Sequence, residues 1–468
     1  MGKERGGVMV FNSYIFILVF LPICIVGYFW LNRYGKYTVA KAFVLCMSMW
    51  FYGYYSELCL VLITFSIVCN YAIYRLLQGN KSKTLIGVGV LFNVGFLVYF
   101  KYMNFLIDTV NKLFRGNIEF MEIILPLGIS FISFQQISFL VDTYRGEVPQ
   151  YTPLDYALFV LYFPKLVAGP IVSHKELLPQ FADIDNKTVN WDNISSGLYL
   201  FTLGLTKKVL FAENFASAVN WGYSHIERLN WISAVTVIVG YTLQIYFDFS
   251  GYCDMAAGVG KMMNIELPIN FNSPYKAATI EEFWERWHMT LTRFLTRYVY
   301  IPLGGNRKGI VRTYINILLV FLVSGIWHGA SWNFVLWGLC HGVLLVLTKC
   351  LKGIVSKVPR CINCVVTFGM VNILWVFFRA YNIQEAIQLL KQVTNTDYIG
   401  IHEDMAQCFT WPELSFAIGL ICVFCMKNTN ERLQTWRPKV MNAIVVALLL
   451  VINIYSLAGE STFVYFNF

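Results

Sequence analysis

The sequence predicts an all-α polytopic membrane protein, and two observations carry that prediction. Fifty-seven per cent of the 468 residues are hydrophobic and 13% are charged, with a mean hydropathy of +0.56; a soluble globule is nearer half apolar and a quarter charged. The apolar residues also gather into runs near 11–30, 38–55, 57–74, 84–100, 120–141, 154–171, 195–220, 232–260, 313–327, 331–348, 361–378, 411–426 and 440–458. A helical span needs about 20 residues. The expectation is therefore a bundle of about 11–13 transmembrane or re-entrant helices, the shorter ones covered by neighbours. The first run is too long for the apolar part of a signal peptide and no small-residue cleavage site follows it. No internal repeat is visible, and residues 1–468 read as one membrane-embedded domain.

Charge placement gives orientation. The net charge of +9 is not pooled in one block, as nucleic-acid binding would favour, but recurs in short clusters between apolar runs. Arg33, Lys36 and Lys41, then Arg75, Lys81 and Lys83, mark cytosolic loops, whereas the turn from Gly53 to Glu57 has no positive residue. Lys349, Lys352, Lys357 and Arg360 mark a later cytosolic loop, and Glu385, Asp397, Glu403 and Asp404 an external one. Both chain termini are expected outside. The twelve cysteines lie mostly in apolar runs, where free Cys packs as a small hydrophobe. The Cys361/Cys364 and Cys422/Cys425 spacings lie at membrane segments without a ligand-rich loop, so no metal site is expected.

Three stretches carry candidate chemistry. In Glu281–Tyr300, Trp284, Trp287, Leu291, Leu295 and Tyr298 recur at helical spacing with Arg286, Arg293 and Arg297 on a polar face. This predicts an interfacial amphipathic helix, with His288 beside its aromatic stripe, either as an inert interfacial residue or as part of a site. In Ser324–Asn333, His328 lies near the turn between two apolar arms. It sits roughly 20 Å along the first arm at about 1.5 Å per residue. An ionisable group at that depth is a functional candidate, and the small residues Ser324, Gly325, Gly329 and Ser331 leave room for a substrate. The structural alternative is a neutral histidine bonded to backbone. In Tyr246–Ala257, Asp248 and Asp254 interrupt an apolar run. Buried carboxylates need partners; these two are expected to pair with an arginine or to orient a histidine. His341, thirteen positions after His328, is a candidate supporting residue, and His174, His225 and His402 read as loop residues.

The chain resembles the membrane-bound O-acyltransferase family, and within it the bacterial alginate O-acetylation branch. The resemblance rests on LPLGISFISFQ (125–135), VDTYRG (141–146), YFPKLVAGPI (162–171), YFDFSGYCDMAAG (246–258), INFNSPY (269–275), FWERWHMTLTRFLTRYVYIPLGGNR (283–307), WHGASWNFVLWGLCHG (327–342) and FVYFNF (463–468). It implies a ring of helices with a thinned centre and a tunnel. By likeness His328 is the intramembrane catalytic histidine, and His288 fills a second motif position that other branches give to Asn or Asp. The segment PLGGNR looks like the polysaccharide-acetylating branch, while Thr296-Arg297 departs from its Arg-Asp.

The implied reaction is acyl transfer to a hydroxyl, with histidine as general base. The donor is a cytosolic thioester, acyl-coenzyme A (acetyl-coenzyme A) or an acyl carrier protein. Arg286, Arg293, Arg297 and Trp327 are the candidate donor contacts, the arginines for phosphates. The acceptor is a cell-surface polysaccharide or an extracytoplasmic partner acyltransferase. No bound cofactor or nucleic acid is expected, and membrane lipids surround the chain in a bacterial cytoplasmic membrane. Teichoic acid or lipid acylation, and a transporter or flippase, are the alternatives.

Overall fold

The protein is described by a computed structural model over residues 9–408 and 412–457. The described residues form helices and no strand, with one isolated bridge between Phe271 and Trp287. In chain order the principal helices are α1 (Phe16–Arg33), α2 (Tyr37–Gly53), α3 (Glu57–Gly79), α4 (Lys83–Phe114), α5 (Ile129–Tyr144), α6 (Pro153–Leu161), α7 (Trp191–Thr206), α8 (Glu213–Ser224), α9 (Trp231–Met262), α10 (Ile280–Arg286), α11 (Met289–Leu295), α12 (Ile310–His328), α13 (Trp332–Cys350), α14 (Arg360–Arg379), α15 (Pro412–Phe424) and α16 (Val440–Tyr455). Among the described residues, seven helices are long and apolar enough to cross a bilayer: α1, α3, α4, α9, α12, α13 and α14. The protein is an all-α, multi-pass membrane protein. The word at 463–468 lies outside the described residues, as does the end of the 440–458 run.

Two apolar runs fold differently from a continuous span. The 120–141 run becomes helical only at Ile129, because Pro126 and Gly128 (φ +69°) interrupt it. Its first part is held as irregular chain by Asn104 and Asn111, whose amides bond both the N–H and the C=O of Met121 and Ile118. The 154–171 run breaks at Tyr162, since Pro164 has no N–H to continue α6. Helix starts follow the expected chemistry. Ser56, Asn230 and Thr279 cap α3, α9 and α10 through their side-chain oxygens, and Thr152 and Asp155 close a capping box on α6.

The core centres on α9, most of which is buried. Lipid gives little hydrophobic drive for helix association, so close approach of small residues substitutes for it. Gly197 and Gly204 of α7 face Gly258 and Gly251 of α9, and a methyl on Gly204 would sit 2.6 Å from the Gly251 carbonyl. Gly325 of α12 and Gly338 of α13 make the same kind of contact, so the two arms around His328 touch backbone to backbone. Polar ties add specificity. Ser66, Asn70, Asn93 and Gln136 form a buried network across α3, α4 and α5. Lys207 and Lys208, at the π turn Lys207–Ala212, bond Asp254 (2.6 Å) and Asp248 (2.5 Å) of α9.

Gly204→Ala and Gly338→Ala are expected to destabilise the protein by about 1–3 kcal/mol each through overpacking. The check is a lowered midpoint of thermal unfolding in detergent. Gly87→Ala, which meets nothing within 4 Å, serves as the neutral control.

Candidate active site

His328 is the last residue of α12, where Gly329 turns extended. Its ring is buried, and its Nδ1 lies 2.6 Å from the Ser324 carbonyl one turn earlier. That geometry makes Nδ1 the donor and places the basic lone pair on Nε2. Trp327 and Trp337 pack at 4.9 Å from the ring and Phe378 at 5.4 Å. The sequence turns sharply here because Gly329 nests against Phe334, where any Cβ would collide with the ring. Asn333 then ties the new helix to the Ala380 carbonyl at 2.7 Å.

His288 sits where the predicted 281–300 helix is broken. Instead of one amphipathic helix there are α10, an extended Trp287, a left-handed His288 (φ +47°), α11 and a π turn at Thr296–Tyr300. The INFN segment causes the break. Asn272 N–H donates to the Arg286 carbonyl and Met289 N–H to the Asn270 carbonyl, so backbone pairing replaces two helical bonds. Asn270 Oδ1 accepts from the Thr290 amide and hydroxyl and faces His288 Nδ1 at 3.2 Å. Left-handed backbone costs a non-glycine residue about 1–2 kcal/mol, and such strain persists where surrounding structure enforces it. Trp287, expected on an interfacial face, is instead buried against Phe271 and Trp375.

The Trp327 indole touches both imidazoles, 4.9 Å from His328 and 6.2 Å from His288. His341 lies behind Trp337, whose ring is also 4.9 Å from it, and accepts from Trp284 Nε1 at 3.2 Å. His288 Nε2, His341 Nε2 and Trp337 Nε1 are buried without a hydrogen-bond partner among the described residues. These three atoms could bond a polar substrate, while atoms remote from His328, such as Gln136 Nε2 and Asn453 Oδ1, are left likewise.

Two cavities follow one another along α12. One of about 340 Å³ lies beside Ile317, Val320, Phe321 and Ser324, with Trp284 opposite and Glu281 and Lys349 at its mouth on the face predicted to be cytosolic. The other, of about 190 Å³, is lined by Trp327 and His328 with Lys101, Ser130 and Phe131, and reaches Tyr55 near the face predicted to be external. The final turn of α12 separates them.

The remaining candidates are placed as follows. Arg286 pairs with Glu282 at 2.9 Å, Arg293 grips Glu176 through both terminal nitrogens (2.6 and 2.9 Å), and Arg297 bonds Asp142 (3.1 Å) and Glu147 (2.5 Å). None of the three lines either cavity. Asp248 and Asp254 pair with lysines rather than arginine, and Asp254 also accepts from Thr429. His174, expected in a polar loop, is buried with Nε2 3.6 Å from Asp142. His225 and His402 stack on Trp221 away from the site. Sequence reasoning missed Lys101 and Asn270. A lysine directly after the 84–100 apolar run and an asparagine ahead of a tryptophan-rich helix were the available signals.

Fold and site define a membrane-embedded protein with a buried histidine, His328, lining one of two cavities along α12. The profile of MBOAT, the membrane-bound O-acyltransferase family, matches residues 127–384, and the chain belongs to that family: it is a membrane O-acyltransferase. It is 38% identical to the peptidoglycan O-acetyltransferase of Helicobacter pylori over 99% of this chain and 98% of that one. It is also 38% identical to a Pseudomonas aeruginosa protein named "Probable alginate O-acetylase AlgI", covering 92% of this chain and 84% of the relative. Similarity to the teichoic acid D-alanyltransferase of Bacillus subtilis is lower, 28% over 47% of this chain and 58% of that one.

The carboxylates around the arginines carry a pH consequence. Lys175 at 2.7 Å and Arg297 hold Glu147 below its ordinary value of 4.5. Burial pulls Glu176 up, but Arg293 and Ser173 outweigh it and leave that carboxyl lowered. A depressed folded value contributes stability that is present above the unfolded pKa and is lost as pH falls through the folded one. The unfolding midpoint should therefore drop as pH is taken below about 4.5. Glu147→Gln should make that drop shallower, read by melting curves across pH 3–7, a range set around the ordinary carboxylate pKa of about 4.3.

Proposed function

We propose that this enzyme moves an acetyl group from a cytosolic thioester, acetyl-coenzyme A or an acyl carrier protein, to a hydroxyl presented at the external cavity. The observation that carries the reading is the position of His328, at the turn between the two cavities with its Nδ1 fixed to Ser324 O. The thioester enters along the apolar cavity of about 340 Å³ beside α12. Nε2 of His328 takes the hydroxyl proton as the oxygen attacks the thioester carbonyl. The C–S bond breaks, the C–O bond forms, and the proton returns to the departing sulfur. His288, with Nδ1 turned to Asn270, offers Nε2 to hold donor or acceptor. Trp327 walls the transfer point and His341 supports it through Trp337. Arg286, Arg293 and Arg297 are paired yet partly exposed, so donor phosphates would displace carboxylates rather than meet unpaired guanidinium groups.

By the names of its relatives, which act on peptidoglycan and alginate, the acceptor class is a cell-envelope polysaccharide. It is reached directly or through an extracytoplasmic partner acyltransferase that carries the acetyl group onward; the family resemblance favours the partner. Teichoic acid acylation is supported only by the lower similarity.

His328→Ala is expected to lower transfer by about 10²–10⁴-fold while membrane insertion and the melting midpoint stay as in the wild type. Full activity in a folded variant rejects the general base. For the relay, sealed vesicles with acetyl-coenzyme A on the side of Lys349 and polysaccharide on the other should acetylate polymer poorly until the partner is added. Efficient acetylation by this chain alone would establish direct transfer instead.

A further inference from the structure

We propose that Lys101 is a positioning residue for acyl transfer, holding the terminal turn of α12 and with it the orientation of His328. The proposal rests on the reading of His328 as the base. Lys101 lies well inside the membrane-spanning α4, in the π turn Val98–Tyr102. A π turn within a long helix often marks a functional position. A lysine there would ordinarily extend toward water. Instead its Nζ turns to the end of α12, 2.9 Å from the Trp327 carbonyl, 3.0 Å from the His328 carbonyl and 3.3 Å from Ser130 Oγ. The next residue, Tyr102, donates its hydroxyl to the Ile326 carbonyl at 2.6 Å. Two consecutive side chains of one helix thus satisfy three consecutive carbonyls of another.

Those carbonyls need partners. The last carbonyls of a helix have no intrahelical donor, and α12 ends with Trp327 and His328 buried among aromatic rings. A positive group at a helix C-terminus also suits the dipole. The bond from His328 Nδ1 to Ser324 O spans the same turn, so a frayed turn would release the ring. Lys101 lines the external cavity beside His328, which raises the alternative that it binds the acceptor. An ammonium has three donors, and the three acceptors named above take all of them. That arrangement favours positioning over substrate binding.

The test is Lys101→Met, which keeps an unbranched stem and removes the donors, and Lys101→Arg, which keeps donors and charge. Donor-dependent acetyl transfer is measured with a partner or a soluble hydroxyl acceptor, beside a melting midpoint in detergent. The expected result for Lys101→Met is a kcat about 10–100-fold lower, as misplacement of a reacting group produces, with KM for donor and acceptor within about threefold. Lys101→Arg should recover most of the loss. An unchanged kcat, or a loss carried by KM, overturns the proposal. So does an equal loss in both variants. If Lys101→Met is not monodisperse, Tyr102→Phe and Ser130→Ala each delete one bond of the same clamp. Lowered kcat at unchanged KM in either supports it, and wild-type kcat in both overturns it. His328→Ala is run alongside: activity there would reject the base, while the kcat comparison at Lys101 would still report on the clamp.

Discussion

Everything about this site depends on one constraint: in lipid, a backbone amide or carbonyl that leaves its helix must find a partner inside the protein. Among the places where the chain leaves helical geometry are 116–128, Tyr162, Trp287–His288 and Gly329–Ser331, and each of these is matched to donors or acceptors from another segment, at the second by Ser48 Oγ, which accepts from the Phe163 N–H. Asn104 and Asn111 hold the first, Asn270 and the 270–272 backbone hold the third, and Lys101, Tyr102 and Asn333 hold the ends around the fourth. Both histidines of the site stand at such breaks. A continuous helix would direct their rings by its own periodicity, whereas a supported break lets the fold aim each ring separately. The same supports explain how a left-handed His288 persists, since Asn270 and Trp287 fix the residues on either side of it.

Much of this was legible in the sequence. The apolar runs gave the spans because bilayer thickness sets helix length. His328 stood out as an ionisable group deep in an apolar arm, but the small residues expected to leave room for a substrate serve packing instead, Gly325 against Gly338 and Gly329 against the Phe334 ring. Two of the segments read as shorter or re-entrant hold α5 and α6, of 16 and 9 residues, too short to span alone and with most of their residues buried by neighbours.

Other features were not legible, for a common physical reason: they depend on partners distant in sequence. The 281–300 stretch has good helical periodicity, and nothing within it announces that the INFN segment will compete for its backbone. Arg293 and Arg297 on its polar face looked available because Glu176, Asp142 and Glu147 lie more than a hundred residues away. His174 looked like a loop residue because the carboxylate beside it, Asp142, belongs to α5. Lys101 lay just past the 84–100 apolar run, and its partners, the Trp327 and His328 carbonyls, are more than two hundred residues away. Periodicity reports one element at a time, while these residues take their roles from the packing of several.

The packing also separates two readings of the buried carboxylates on α9. Successive residues of a helix project about 100° apart. Phe249 meets the His288 ring at 4.8 Å, so its neighbour Asp248 is turned toward Lys208 at 2.5 Å. Six positions on, Asp254 is taken by Lys207 and Thr429. These pairs join α9 to the π turn after α7 and to the chain near Thr429, and so brace the wall behind His288. The group that orients His328 is a backbone carbonyl, Ser324 O, on its own helix. Orientation by a carbonyl fixes the tautomer as a carboxylate would, but adds no negative charge beside the imidazole. In the membrane interior a carboxylate would need its own cation or donors, and the cation nearest this turn, Lys101, is occupied with the carbonyls that end the helix. The arrangement thus meets the requirement for a directed imidazole while keeping unpaired anionic charge away from the His328 ring.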